Sequence, residues 1–423
     1  MNLYPHQIEA LDLIKDKDRC AVYYDMGLGK TYIGSEKIKQ LNNKINIVIC
    51  QKSKINDWIE HFKTNYKYEV LNLTKPRQLS DFLGLALGER FSIIGVINYD
   101  LVWRREDLLG LSDFTLLLDE SSLITNRTAN RSKFILKLRP KNVILLSGTP
   151  TAGKYEKLWS QLKLLGWNID EETYFKSYVN YEWIDHDGFW DKRIIGYKNV
   201  DHLKKRLANF GAIFKKTEEV IDLPEQIDQV IYIDQSKEYK HFRKHHYLEI
   251  EGKELIGDSI LTKILYERQL CGQYSNDKLK AFEDLVESTE DRLIVFYNFN
   301  DEWHKLGEIT DKLGRPSGVV NGTFKNPEVL DNHDNGILFV QYQAGAYGLN
   351  LQKANKIIYY SLPLGIGSCD LWEQSKKRIH RIGQNKPCFY YYLLVNNSIE
   401  TWNLELLKTG KDLTDDLFKE AEK

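Results

Sequence analysis

The stretch Asp25-Met-Gly-Leu-Gly-Lys-Thr31 decides how the rest of this chain is read. It follows Cys20–Tyr24, a short apolar run that predicts a strand, and it leads into Thr31–Leu41, whose spacing predicts a helix. A glycine-containing turn between strand and helix aims successive backbone N–H groups at anionic oxygens, and the helix N-terminus adds its own field. The general phosphate-loop pattern asks for a further glycine five residues before the Gly-Lys pair, and this chain has Tyr24 there. Two readings are therefore open. In one, Gly27 and Gly29 let the backbone approach phosphates, Lys30 reaches the β/γ-phosphates and Thr31 holds Mg²⁺. In the other, the stretch is a surface turn with a solvated lysine.

The strand-then-helix rhythm repeats. Leu3–Lys15 has helical spacing, Ile45–Cys50 reads as a buried strand, and Ile55–Phe62 starts a helix. Phe91–Tyr99, Phe114–Glu120 and Asn142–Pro150 each contain a strand running into a polar or glycine-containing loop. After about Lys154 the rhythm changes to a segment rich in Tyr, Trp and Lys, with helical patterns at Val200–Phe210 and Glu238–Glu251. Strands return at Arg292–Phe299, Gly318–Gly322, Asn335–Tyr342, Asn355–Pro363 and Cys388–Val395. Strands alternating with helices predict parallel sheets, which place ligands at the loops beyond the strand ends. The expected architecture is α/β with two parallel-sheet lobes: residues 1–165, a mainly helical and aromatic insertion over 166–274, a second lobe over 275–402, and a C-terminal helix or tail over 403–423.

At 423 residues the chain is too long for one ordinary core. Its 42% hydrophobic and 28% charged content is a soluble, globular balance. No apolar run is long enough to span a bilayer and the first residues do not read as a signal peptide, so the expectation is a cytoplasmic protein with no membrane partner. The five cysteines, Cys20, Cys50, Cys271, Cys369 and Cys388, have no metal-ligand spacing and read as buried reduced thiols. A net charge of −1 gives no global pull toward nucleic acid, so any such site must be a local basic groove.

Three further stretches carry chemistry. Asp119 and Glu120 end an apolar strand, where adjacent carboxylates are costly without a task. Asp119 suits Mg²⁺ and Glu120 suits polarising an attacking water; the competing reading is an acid pair at a helix start. In Leu145–Pro150, Ser147 and Thr149 put small hydroxyls at a strand end, placed to link the acid pair to a nucleic-acid groove, although Gly-Thr-Pro is also an ordinary turn. Arg378 and Arg381 lie three apart, on one face if helical, and guanidinium groups neutralise charge on a γ-phosphate. Taken alone, that pair reads better as a basic solvated helix or a phosphate-touching stripe.

The ordered series YPHQIEAL (Tyr4–Leu11), DMGLGKT, LLLDESS (Leu116–Ser122), SGTP (Ser147–Pro150), AGAYGLNL (Ala344–Leu351) and RIHRIGQ (Arg378–Gln384) resembles the Swi/Snf-type ATPases of helicase superfamily two over nearly the whole chain. RQLCG (Arg268–Gly272) and the following Ser275–Leu285 resemble the family's entry into its second lobe. In that family an acidic residue precedes Met-Gly-Leu-Gly-Lys-Thr, so Tyr24 replaces a glycine the family does not require. The resemblance implies two RecA-like lobes with ATP and Mg²⁺ in the cleft between them. Gln7 resembles the glutamine that reads the adenine edge, with Tyr4 beside the base. Gly27, Gly29, Lys30 and Thr31 match the triphosphate loop, Asp119 the Mg²⁺ ligand, Glu120 the water-activating acid, and Ser147 and Thr149 the coupling motif. Gly348, Asn350 and Gln374 resemble second-lobe positions facing ATP and DNA, and Arg378 and Arg381 match the arginine pair. Ser53, Lys54 and Trp58 stand where the first-lobe DNA motif begins.

Departures are visible too. Ser122 stands where many relatives have His, and SLPLGIG (Ser361–Gly367) replaces the usual Trp-Asn-Pro. The Asp-Glu-Ser-Ser motif and the compact layout resemble phage-encoded members, which implies the host cytoplasm. The insertion carries Trp183, Phe189 and Trp190, either a stacking platform for DNA or rings that pack against the first lobe. The function implied is an ATP-dependent DNA translocase or helicase acting on duplex, forked or branched DNA, with replication or recombination proteins as possible partners. The alternative is an ATP-dependent switch that loads or strips a protein partner without processive movement.

Overall fold

A computed structural model describes residues 3–88, 92–151, 154–186, 189–220, 222–342, 351–365 and 367–409. The chain divides into two compact units, Met1–Ile221 and Asp222–Lys423. Each is a parallel α/β lobe.

In the first unit the strands are β1 (Arg19–Tyr24), β2 (Ile45–Cys50), β3 (Glu69–Asn72), β4 (Ile93–Asn98), β5 (Phe114–Asp119), β6 (Asn142–Leu146), the hairpin β7 (Val179–His186) and β8 (Phe189–Tyr197), and β9 (Ala212–Lys215). Among the described residues, seven of them form one sheet in the order β3-β4-β2-β5-β6-β1-β9, every pair parallel. The runs INIVIC and IIGVIN are buried at every position, as expected for strands covered by helices on both faces. The order places β1 beside β6 and β6 beside β5. Val22 lies level with Leu146, and Leu146 level with Asp119. The loops that carry Asp25–Gly29, Glu120 and Ser147–Pro150 therefore leave the same sheet edge side by side.

The second unit holds β10 (Gln226–Ile233), the hairpin β11 (Tyr247–Ile250) and β12 (Lys253–Ile256), and β13 (Leu293–Tyr297), β14 (Ser317–Val320), β15 (Ile337–Gln341), β16 (Lys356–Tyr359) and β17 (Cys388–Val395). Its described sheet runs β10-β17-β16-β13-β15-β14, again wholly parallel. Stacked tyrosines on neighbouring strands, Tyr359 with Tyr390 and Tyr392, fill one face.

The segment between the expected lobes is less helical than its pattern suggests. It contributes β9 to the first sheet and β10 to the second, and it folds the two hairpins. The helix expected over 238–251 spans Lys237–His245 and stops because His246 turns left-handed at φ 56°. Glu251 and Gly252 then both take positive φ, as a two-residue hairpin turn requires. Trp183 and Trp190 sit on β7 and β8 at 55% and 64% exposure, so neither tryptophan packs into the lobe. Of Phe189 only the backbone is described. Of the expected C-terminal element, the described part is a helix over Ile399–Thr409. Cys20, Cys50, Cys271 and Cys388 are buried and Cys369 is half-buried, all as free thiols. No helix among the described residues is long and apolar enough to cross a membrane.

Candidate functional site

The site in the first unit is assembled from the phosphate-loop stretch upward. Gly27 and Gly29 take φ of 90° and 71°, a region that disfavours any side chain, and the helix Lys30–Leu41 begins directly after Gly29. Gly29 is also crowded: a Cβ there would collide with the side-chain amide of Gln7. Gln7 is buried on the first helix, Pro5–Leu13. Its oxygen accepts from Tyr4 N at 2.9 Å, and its amide nitrogen lies 3.5 Å from the carbonyls of Leu28 and Gly29. The neighbouring His6 Nε2 lies 3.0 Å from the Leu28 carbonyl, and exposed Tyr4 stacks on the His6 ring. The first helix thus buttresses the loop through two adjacent side chains.

Lys30 Nζ donates to the carbonyls of Tyr24 at 2.7 Å and Asp25 at 3.0 Å, which folds it back over its own loop. Asp25 anchors the loop's start: its carboxylate accepts from Thr217 N at 3.2 Å and Thr217 Oγ1 at 3.4 Å. Gly148, at the end of β6, faces this loop so closely that a Cβ would lie 3.4 Å from Lys30 Nζ and 3.1 Å from Met26 Cγ.

The acid pair occupies the next strand end. Asp119 Oδ2 accepts from the indole N–H of Trp58 at 2.8 Å. Burial holds the Asp119 carboxyl above the usual carboxylate range, with Glu120 adding to the rise while the Trp58 hydrogen bond, Lys30 and Lys54 oppose it. Glu120 sits at φ 60°, ψ 63°, a left-handed conformation that costs a non-glycine residue of order 1–3 kcal/mol. The surroundings hold it there. The Tyr99 hydroxyl donates to the carbonyls of Asp119 at 3.0 Å and Glu120 at 3.3 Å. Glu120 Oε1 accepts from Ser122 Oγ at 2.7 Å and from Ser147 Oγ at 2.6 Å, and Ser147 Oγ in turn accepts from Thr149 N at 3.1 Å. The serine that replaces the family histidine therefore still bonds the acid.

Of the residues matched to a first-lobe DNA motif, Ser53 is exposed and Lys54 pairs with Asp57 at 2.7 Å. Trp58 is different: it is 2% exposed, stacked on Phe62, and points its N–H at Asp119. A DNA-facing role is not where its ring is placed.

In the second unit, Gln374 lies buried on the helix Ser368–Lys376. That helix ends before the arginine pair, so Arg378 and Arg381 follow it rather than share a helical face. Arg378 is 2% exposed, and Arg381 is half-buried with its guanidinium pulled below the ordinary arginine range by burial. Gln384 clamps this stretch: its amide nitrogen donates to the carbonyls of Gln352 and Ala354, and its oxygen accepts from Asn385 N and Lys386 N. Gly348 and Asn350 lie outside the described residues.

The donor set suits a magnesium nucleotide. Among the described residues no group of three or more His, Cys, Asp or Glu is placed to hold a metal. Magnesium commonly takes one or two carboxylates and completes its shell with waters and substrate phosphates, which Asp119 and the Thr31 hydroxyl could join. The glycine turn, helix start and Lys30 ammonium complement polyphosphate charge.

The fold and these strand-end loops define a parallel α/β protein with a Gly-Leu-Gly-Lys-Thr turn and an Asp-Glu pair at nearby strand ends of one sheet. A family model described as the SNF2-related domain matches residues 6–276, and the chain belongs to that family. Among curated relatives, the protein described as DNA annealing helicase and endonuclease ZRANB3 from Bos taurus is 24% identical over 454 residues, covering 97% of this chain and 40% of that protein. An uncharacterized ATP-dependent helicase, YqhH, from Bacillus subtilis is 22% identical over 445 residues, covering 95% of this chain and 77% of its own length. The chain therefore spans well under half of the first of these relatives. Among solved structures, the Sulfolobus solfataricus SWI2/SNF2 ATPase core in complex with dsDNA is 20% identical with a TM-score of 0.46, covering 97% of this chain and 91% of that one.

Proposed function

We propose that this protein is a DNA-dependent ATPase that converts ATP hydrolysis into movement along, or remodelling of, DNA. The observation that carries the reading is the convergence of Lys30 after β1, Ser147 after β6 and the Asp119–Glu120 pair at the end of β5, three neighbouring strand ends of one parallel sheet. The family and its ATP-dependent helicase relatives support it. ATP binds with its phosphates on Gly27–Thr31. Lys30 turns from the carbonyls of Tyr24 and Asp25 to the β/γ-phosphates. Thr31 and Asp119 would hold Mg²⁺, which would supply positive charge to the transferring phosphoryl group. Glu120 takes a proton from the attacking water, its carboxylate oriented by Ser122 and Ser147. Arg378 and Arg381 come from the second lobe and act on the nucleotide when the lobes close during turnover. Closure coupled to DNA held by both lobes then yields directional steps. Gln7 faces the base, and Gly348, Asn350 and Gln374 belong to the second-lobe nucleotide and DNA surface. The relative described as a DNA annealing helicase supports DNA as the substrate. A phage origin rests on the Asp-Glu-Ser-Ser motif, and the curated relatives named above are animal and bacterial.

ATPase rates measured with single-stranded, duplex, forked and four-way DNA test this function. Stimulation by at least one DNA, abolished in Lys30→Ala, is the expected result. A rate indifferent to every DNA but raised by a protein partner would favour the switch that loads or strips such a partner.

Trp58 is assigned here to Asp119 rather than to DNA. Trp58→Phe keeps a ring against Phe62 but deletes the donor to the carboxylate. A group that orients a metal-ligating carboxylate is worth about 10- to 100-fold in metal affinity, so the Mg²⁺ concentration for half-maximal ATPase should rise by about tenfold or more. DNA affinity should stay within twofold. Weakened DNA binding with an unchanged Mg²⁺ requirement would return Trp58 to the DNA surface.

A further inference from the structure

Gln161 belongs to none of the motifs described above, yet its side chain joins three of them. It lies on the short helix Trp159–Leu164 at 0% exposure. Its carboxamide oxygen accepts from Tyr23 Oη at 2.9 Å and from Ser121 Oγ at 2.8 Å, and its nitrogen donates to the Pro150 carbonyl at 2.8 Å. Tyr23 is in β1, two residues before the phosphate-loop stretch begins. Ser121 follows Glu120, and Pro150 follows Thr149. The amide orientation is set by its partners: a flip would place the oxygen against the Pro150 carbonyl, where neither atom can donate.

These bonds close a ring. From Glu120 it runs through Ser147 Oγ to Thr149 N, along the chain to Pro150, across Gln161 to Ser121, and back to Glu120. Tyr23 ties that ring to the strand that launches the phosphate loop. Buried hydrogen-bond networks of this kind are rigid when fully satisfied. Glu120 needs such support, because its left-handed backbone is otherwise unfavourable. Resting on the reading of Glu120 as the base, we infer that Gln161 is a positioning residue that fixes the Glu120 carboxylate relative to the phosphate loop, acting through Ser121, Pro150 and Tyr23 without touching substrate.

The test compares Gln161→Met with the triple variant Tyr23→Phe, Ser121→Ala, Gln161→Met, each in the full chain. Methionine matches the length but makes none of the three bonds. It strands two buried hydroxyls and a carbonyl, so some loss of melting temperature is expected. The triple variant removes both stranded hydroxyls. Turnover is counted per nucleotide-binding site by titration with a fluorescent ADP analogue, so a smaller folded fraction does not register. Both variants should bind that analogue within twofold of wild type and show kcat lowered by roughly 10- to 10²-fold, the cost of small misplacement in an active site. The triple variant should regain melting temperature but not kcat. Wild-type kcat per site in Gln161→Met, or recovery of kcat together with stability in the triple variant, would overturn the positioning role. Glu120→Gln, run alongside, separates the failures. If that variant keeps full turnover, the reading of Glu120 falls and the proposal with it. If it is inactive while Gln161→Met is normal, the proposal alone falls.

Discussion

Glu120→Gln is expected to stop ATP hydrolysis while leaving nucleotide binding intact. The carboxylate oxygen of Glu120 accepts two hydroxyl hydrogen bonds, from Ser122 at 2.7 Å and Ser147 at 2.6 Å. A glutamine carbonyl can accept the same two bonds, so the loop and its left-handed turn should persist. What disappears is the negative charge and the basicity. A positioned general base contributes typically 10²–10⁴-fold, so kcat should drop by ~10²-fold or more. Affinity for a fluorescent ATP analogue should change by less than about threefold, because the lost interaction belongs to the transition state. DNA-stimulated turnover near the wild-type rate in this variant would remove Glu120 from the chemistry.

The second large effect is expected at Arg381. If Arg381 meets the γ-phosphate only in the closed state, Arg381→Lys should lower kcat by ~10³-fold, as for other arginine fingers, with a much smaller change in ATP affinity. Lysine does not rescue, because an ammonium cannot reproduce the planar guanidinium fork on phosphate oxygens. The half-buried setting of Arg381, which lowers its pKa through desolvation, is a poor place for a solvated surface charge. The rival role is a DNA phosphate contact. In that case the variant should reach a normal ATPase plateau, only at higher DNA concentration, since a phosphate contact sets affinity rather than turnover. ATPase rate against DNA concentration decides between the two.

Much of the candidate site was legible because its chemistry uses contiguous residues. A phosphate loop needs glycines, lysine and threonine within one turn, and Asp25–Thr31 supplies them in a single stretch. Asp119-Glu120 and Ser147–Thr149 were legible for the same reason, each being a short polar stretch ending a largely apolar strand. Other contacts gave no local signal. Trp58 reads as the start of a DNA motif until its N–H is seen on Asp119, and Asp25 reads only as the acid before the loop until Thr217 is seen to hold it. The strands β3, β9 and β10 and the two hairpins β7–β8 and β11–β12 were missed. β9 is a four-residue edge strand inside a stretch whose aromatic and lysine content masks any alternation, and β10 interleaves polar residues with its apolar ones.

Sequence alone determined the class of fold and the identity of the phosphate-loop, acid-pair and hydroxyl motifs, because hydrophobic period and turn chemistry are properties of neighbouring residues. Tertiary structure decided which motifs meet. The order β5-β6-β1-β9 brings the loops after strands far apart in the chain to one edge of a sheet. Gln161 joins Tyr23, Ser121 and Pro150 across separations of 138, 40 and 11 residues. A hydrogen bond over such a distance depends on strand order and register, which no local window of the chain encodes. That is why a glutamine in a short helix of mixed polarity looked like nothing until the sheet beneath it was in place.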